Sequence, residues 1–331
     1  MSLRVLDVGP AVALQDLGRE GFLTKGMTRG GAADRLALHE GAALLGQPHD
    51  NAVLEMVGVG GRFEAASDCV IALTGAAMRT NIDGAPALWN ASHAVAKGSV
   101  LEIGPCVQGT YGYLHVAGGF DTPRILGARG AHLSVGIGAL VANGDVLPIG
   151  AGSAYAGQSL PRDPRFDGGA LRIVPSAQTG MFAEEVRARF QATTFRRDPR
   201  ADRQGMRLDF DGEGFLPGAG LSIVSEIIAP GDLQVTGDGT PFILLAESQT
   251  TGGYPRMGTV LPSDLPRAVQ CPAGAALTFS FVTMDEARSI EARARKSWAS
   301  LKPAPLVRDP RDIGDLLSYS LISGAIMGDE T

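Results

Sequence analysis

Glycine, at 45 of 331 residues, is the feature that most narrows what this chain can fold into. That is roughly twice the ~7% of ordinary chains, and it has no three-residue period, so a collagen-like helix is excluded. Glycine supplies the left-handed backbone that sharp turns need, which favours many short strands joined by tight connections. The strand-like runs agree. Val70-Ile71-Ala72-Leu73, Val100-Leu101-Glu102-Ile103, Tyr113-Leu114-His115-Val116, Leu171-Arg172-Ile173-Val174, Phe242-Ile243-Leu244-Leu245 and Leu277-Thr278-Phe279-Ser280-Phe281 are short, apolar and fenced by Gly, Pro or Asp. Asp83-Gly84, Asn143-Gly144 and Asp238-Gly239 are turn pairs. Helical signals are fewer: apolar periodicity over 31–45 ending at Gly46, a repeat over 181–190 behind Ser176 or Thr179, and a Thr283–Glu286 capping box opening a helix towards Leu301. No strand–helix alternation appears, which argues against a doubly wound sheet. The expected class is mainly β with a few short helices.

The same composition excludes several functions. Hydrophobic residues make up 44% and charged ones 19%, enough for a substantial core and against disorder. A net charge of −6 argues against a nucleic-acid footprint. No run approaches the roughly 18 apolar residues of a membrane span, and neither a basic nor a hydrophobic leader region opens the chain; a cytoplasmic protein is expected. Three cysteines, Cys69, Cys106 and Cys271, lack CxxC spacing and are read as buried apolar residues. All five histidines precede residue 133, so chemistry in the second half must use carboxylates, arginine, hydroxyls or backbone amides. His39 and His115 are read as packing residues.

A Gly-, Pro- and charge-rich stretch, 150–169, marks the best boundary. The expected organisation is a β domain over 1–155, a linker over 156–170, a second β domain over 171–301 and a tail over 302–331 packed through Leu316, Leu317 and Ile322. The halves are faintly alike: Ala33-Asp34-Arg35 against Ala201-Asp202-Arg203, and Glu55 against Glu226. Related domains and chance likeness in a Gly/Ala/Val-rich chain both fit.

Walker A, GxSxG, HExxH and GxGxxG motifs are absent. Three polar clusters stand out. Gln15-Asp16-Leu17-Gly18-Arg19 with Gly30-Gly31-Ala32-Ala33-Asp34, and Asp202-Arg203-Gln204-Gly205, each pair arginine, an anion fork, with aspartate and glycine. A ligand loop and a structural Arg–Asp pair both fit such spacing. Gln249-Thr250-Thr251-Gly252-Gly253-Tyr254 follows a hydrophobic strand and gathers hydroxyls and exposed amides, which favours an anion- or carbonyl-binding nest.

These clusters, with VAGGFDTPRILGAR (116–129), ADRQGMRL (201–208) and QTTGGYPRMGTVLPSDL (249–265), resemble the family of the C component of bacterial 5-oxoprolinase, also called allophanate hydrolase subunit 2. The resemblance covers about residues 3 to 285. The family includes an antagonist of a sporulation-kinase inhibitor and the biotin-dependent carboxyltransferase domain of urea carboxylase. It implies two tandem cyclophilin-like β-barrel modules, and one part of a hetero-oligomer that with ATP (and Mg) cleaves 5-oxoproline to glutamate. The nucleotide would be bound by or shared with a B component resembling allophanate hydrolase subunit 1, while an A component would complete ring opening. In that reading Arg19 and Arg203 are anion donors, Asp34 and Asp202 orienters or bases. Gln249, Thr250, Thr251 and Tyr254 bind lactam or phosphate, and Gly252 and Gly253 lend backbone N–H groups. Changing Arg203 or Thr251 should then cut activity without unfolding the chain. Biotin enters only under the alternative of a carboxyltransferase component; Lys25, Lys97, Lys296 and Lys302 lie in no biotin-acceptor context, so the carrier would be another chain. A non-enzymatic regulator is the remaining alternative. No metal site is expected. This chain has Ala128-Arg129-Gly130-Ala131 where the family usually shows Ser-Arg-Ser-Thr, removing three hydroxyls.

Overall fold

The structure, a computed structural model, describes residues 1–218 and 222–306. It is mainly β, with four α-helices among the described residues: α1 (Arg35–Leu45), α2 (Glu184–Ala192), α3 (Leu265–Gln270) and α4 (Met284–Ala299). The two halves close differently. Ten strands of the N-terminal half, with Ala304–Pro305 added at one edge, form an 11-stranded sheet built on two long antiparallel neighbours, Cys69–Ile82 and Val100–Val116. The C-terminal strands form a closed seven-stranded barrel, sealed by the parallel pair Gly169–Val174 and Ala276–Phe281.

Side-chain alternation explains the barrel. Leu171 and Ile173, Met206 and Leu208, Leu233 and Val235, and Leu277 and Phe279 all belong to one buried core. Successive strand residues point to opposite faces, so Gln234, between Leu233 and Val235, faces away from that interior. Phe190 of α2 enters the same core against Phe195, Phe215 and Phe279, with ring centroids 4.9–5.2 Å apart.

In the N-terminal sheet the run from Ile71 to Ala76 is buried on both faces. Ile71 and Leu73 pack into the sheet's own core, whereas Ala72 lies with Leu44 and Leu45 of α1. Gly41 lets that helix approach: a Cβ there would stand 2.2 Å from the His115 ring. His115 is fully sealed, with Nε2 2.7 Å from the Thr74 hydroxyl, whose proton goes to the Ala37 carbonyl at 3.0 Å. Nε2 therefore carries the imidazole hydrogen.

Asp83-Gly84 turns one hairpin with φ of 52° and 82°, as the sequence indicates. The first helix begins at Arg35 rather than 31, because Asp34 caps it by accepting from the Ala37 amide at 3.2 Å. The 181–190 signal resolves into a 3-10 turn, Thr179–Met181, followed by α2, which no side chain caps. The Thr283–Glu286 capping box forms as read. The stretch read as a linker is not free of the fold. Its Leu160, Arg165 and Phe166 are buried. Ala304–Pro305 brings the chain back to pair with Gln158–Ser159. Leu316, Leu317 and Ile322 lie outside the described residues. No helix among the described residues is long and apolar enough to cross a membrane.

Burial pushes the His115 imidazole down to about 3, from an ordinary 6.5. Below pH 6.5 the unfolded chain takes up a proton there that the folded chain refuses. Stability at this site should then fall by up to ~1.4 kcal/mol per pH unit, until about pH 3. Half-buried His39, lowered to about 4 by desolvation and by the neighbouring His49 and Arg35, adds in the same direction. Urea midpoints at pH 7 and 5 should converge in His115→Gln relative to the unaltered chain; an unchanged pH slope would refute this.

Candidate functional site

The halves are joined by a buried polar network centred on Arg203. Its Nε donates to Glu247 at 2.6 Å, one terminal nitrogen to Glu55, and the other to the Gly31 carbonyl at 2.6 Å. Glu55 and Glu247 are 2% and 3% exposed, so the guanidinium balances two charges held away from water. Burial would lower the Arg203 pKa, but those two carboxylates raise it. Glu55 also accepts from the Tyr113 hydroxyl at 2.7 Å and the Ala33 amide at 2.8 Å. A second ion pair lies alongside. Arg165 donates to Asp34 at 2.7 Å and to both oxygens of Glu40 at 2.8 and 2.7 Å, and Gln270 donates to Asp34 at 2.8 Å.

Three of the residues singled out in the sequence meet in one open cleft of about 340 Å³: Asp202, Gln249 and Tyr254. It lies outside the barrel, where Gln234 faces, and Arg200, Gln204, Gln234, Thr236 and Ser248 complete its polar lining. Asp202 Oδ1 accepts from the amides of Gln204 and Gly205 at 2.7 and 3.0 Å, a turn that keeps the carboxylate at the rim. Gln234 is 4% exposed and Ser248 5%, yet Gln234 Nε2 and Ser248 Oγ have no hydrogen-bond partner. Leaving such atoms buried and unpaired costs on the order of 1–3 kcal/mol each. Two of them converging on one cleft leave donors there that ordered water or a ligand with its own polar atoms would satisfy. Gly252 makes room: a Cβ there would lie 2.3 Å from Gln234 Nε2.

The other expected residues lie elsewhere. Asp34 and Arg203 are engaged in the buried ion pairs, so neither presents a free base or anion fork. Arg19 is 2% exposed and clamps a turn, donating to the Ile125 carbonyl at 2.9 Å and the Ala128 carbonyl at 3.4 Å. Thr251–Gly252 pairs with Glu226–Ile227 as a two-stranded ribbon, and the Thr250 carbonyl accepts from Ile228 at 3.0 Å. Gly252 and Gly253 are not among the positive-φ glycines, so this loop is a ribbon and not the expected nest. Of the faint repeat, Glu55 binds Arg203 whereas Glu226 binds Arg256, so the two glutamates are not equivalent. The Cys106 and Cys271 thiols are pushed up to about 11 by burial, which suits packing residues. Sequence reasoning misses Gln234 and Ser248, although a glutamine inside the apolar strand Asp232–Val235 is a signal for the first.

Similarity to known proteins fits this architecture. Residues 25–281 match the family model of the carboxyltransferase domain, subdomain A and B. The chain is 30% identical to the C component of 5-oxoprolinase from Haemophilus influenzae over 293 residues, 86% of this chain and 93% of that one. A crystal structure of TTHA0988 superposes with a TM-score of 0.77 at 30% identity, covering 84% of this chain and 55% of the other. The urea amidolyase of K. lactis shares the fold, with a TM-score of 0.81 at 22% identity over 94% of this chain and 20% of that one. The chain thus spans about half the length of the first solved structure and a fifth of the second.

Arg203→Met leaves Glu55 and Glu247 buried and unpaired, and should cost about 3–5 kcal/mol in urea unfolding; adding Glu55→Gln and Glu247→Gln should recover part of it. An unchanged midpoint would return Arg203 to the ligand-binding set. Gln234→Met removes no protein hydrogen bond, so melting should barely move while ligand-dependent activity falls at least about tenfold, the ~1.4 kcal/mol of one good hydrogen bond.

Proposed function

For a chain that belongs to the carboxyltransferase domain A and B family, we propose the role of the C component in an ATP-dependent 5-oxoprolinase, inactive without its partners. The observation that carries this is the 30% identity to a 5-oxoprolinase C component, spread over 93% of that protein rather than one motif.

The chemistry asks for donors. An amide oxygen is a poor nucleophile, and amide resonance resists hydrolysis. Phosphorylating that oxygen turns it into a leaving group, and preorganised donors offset the charge that develops. The cleft offers a set suited to a lactam. Gln234 Nε2 and the Ser248 hydroxyl meet its carbonyl, Tyr254 and Gln249 flank it, and Asp202 at the rim receives its N–H. Thr250, Thr251, Gly252 and Gly253 then hold the ribbon beside Gln234 instead of binding phosphate. Among the described residues no group of three or more His, Cys, Asp or Glu side chains converges as a metal site. In this proposal the magnesium nucleotide is bound by or shared with the B partner, and the A partner completes ring opening.

The family model's carboxyltransferase description supports a second reading, carboxyl transfer from a biotin carrier on another chain. The decisive assay is ATP-dependent glutamate release from 5-oxoproline, by this chain alone and with its A and B partners. Activity confined to the full mixture is the expected result. A stable complex without turnover would overturn it: carboxyl transfer to urea would then favour the second reading, and its absence a binding regulator.

A further inference from the structure

A second cavity, of about 230 Å³, lies between the halves on the opposite side of the segments that wall the cleft. Arg203, Leu245 and Ala246 line it, whereas their neighbours Gln204, Leu244 and Ser248 line the cleft. Much of its wall is apolar, from Pro230, Pro262, Leu265, Pro266 and Val269. Arg29, Arg35 and Tyr111 complete it.

The charges around this cavity do not balance. Arg203 has Glu55 and Glu247. Arg29 has Glu20 at 3.2 Å and the Leu17 carbonyl at 2.6 Å. Arg35 has no carboxylate partner among the described residues, and its Nε is sealed from solvent without an acceptor. Burial, with Arg29 and Arg295 as like charges and only Glu20 in opposition, lowers its pKa to about 10, which still leaves it a cation at neutral pH. A guanidinium held this way lacks the planar, two-oxygen acceptor that matches its fork. Burial also holds the Tyr111 phenol up to about 12, so it remains a donor.

We propose that this pocket is a binding site for a small organic monocarboxylate, with Arg35 as its counter-charge and the proline- and leucine-lined wall holding its apolar body. The volume is below the roughly 300 Å³ where drug-sized ligand sites begin, so the body is no larger than a small ring or short branched chain. The apolar walls favour an anion with an apolar body over inorganic phosphate, because the phosphate oxygens turned away from Arg35 would lose water against proline and leucine without gaining partners. The site is lined by other residues than the lactam cleft, and its test does not use the oxoprolinase reaction, although 5-oxoproline is itself a small-ring monocarboxylate and belongs to this ligand class.

The test is calorimetric titration of the full chain without ATP or its partners. The probes are cyclopentanecarboxylate, the equally shaped cyclopentanecarboxamide and inorganic phosphate. The carboxylate should bind, with the carboxamide and phosphate at least tenfold weaker. Arg35→Met should lose at least tenfold for the carboxylate while melting at the same or a higher temperature, since it removes an uncompensated charge. Arg35→Lys should retain an intermediate affinity. No binding of the carboxylate at millimolar concentration, equal binding of the carboxamide, or equal affinity in Arg35→Met would each overturn the assignment. Because ATP turnover is not the readout, a failed oxoprolinase assay leaves this result standing.

Discussion

Arg203 is the interaction on which the arrangement of the two halves depends. One guanidinium reaches Glu55 in the N-terminal sheet, Glu247 beyond a barrel strand, and the Gly31 carbonyl before the first helix. All three bonds are short and shielded, so relative movement of the halves would leave two carboxylates without a counter-charge. Arg165 repeats the device a few residues outside the barrel, tying Asp34 and Glu40 of the first helix region to the segment that connects the halves. Buried pairs of this kind add little net stability compared with apolar packing, but they tolerate only one geometry. Their contribution is registration: they set where the sheet and the barrel meet.

That registration is also what creates the two cavities. The segments around Arg203–Gly205 and Leu244–Ser248 contribute to both cavities, Gln204, Gly205, Leu244 and Ser248 to the cleft and Arg203, Leu245 and Ala246 to the second. Glu247 lies within Leu244–Ser248 and is held by Arg203. The Gln234 and Ser248 atoms on one side, and Arg35 Nε on the other, are among the buried polar atoms of the described residues that have no protein partner.

Much of the fold was legible because it rests on local chemistry. Glycine-rich turns, period-two apolar runs and the Thr283–Glu286 box are short-range features, and each appears where the residues indicate. The site was legible in part. Asp202, Gln249 and Tyr254 do meet, since Asp202 and Gln249 follow barrel strands and Tyr254 precedes one, all lining the same cleft. Arg19, Asp34 and Arg203 have the composition of ligand loops but are drawn inward by partners more than a hundred residues away, such as Ile125, Arg165 and Glu55. No spacing rule reaches that far. Gly252 and Gly253 have the composition of nest formers, whereas Gly252 pairs with Glu226 in a ribbon and the Gly253 carbonyl accepts from the Ile223 amide.

The sequence by itself determined the class of protein: strand-rich, with few helices and the motif order of its family, because turn and strand preferences act within a few residues. Only the tertiary structure decided which charged residues are available to a ligand. The reason is physical. An arginine or aspartate looks the same in sequence whether its charge is cancelled by a buried partner or left open, and that cancellation depends on contacts between halves that only folding brings together.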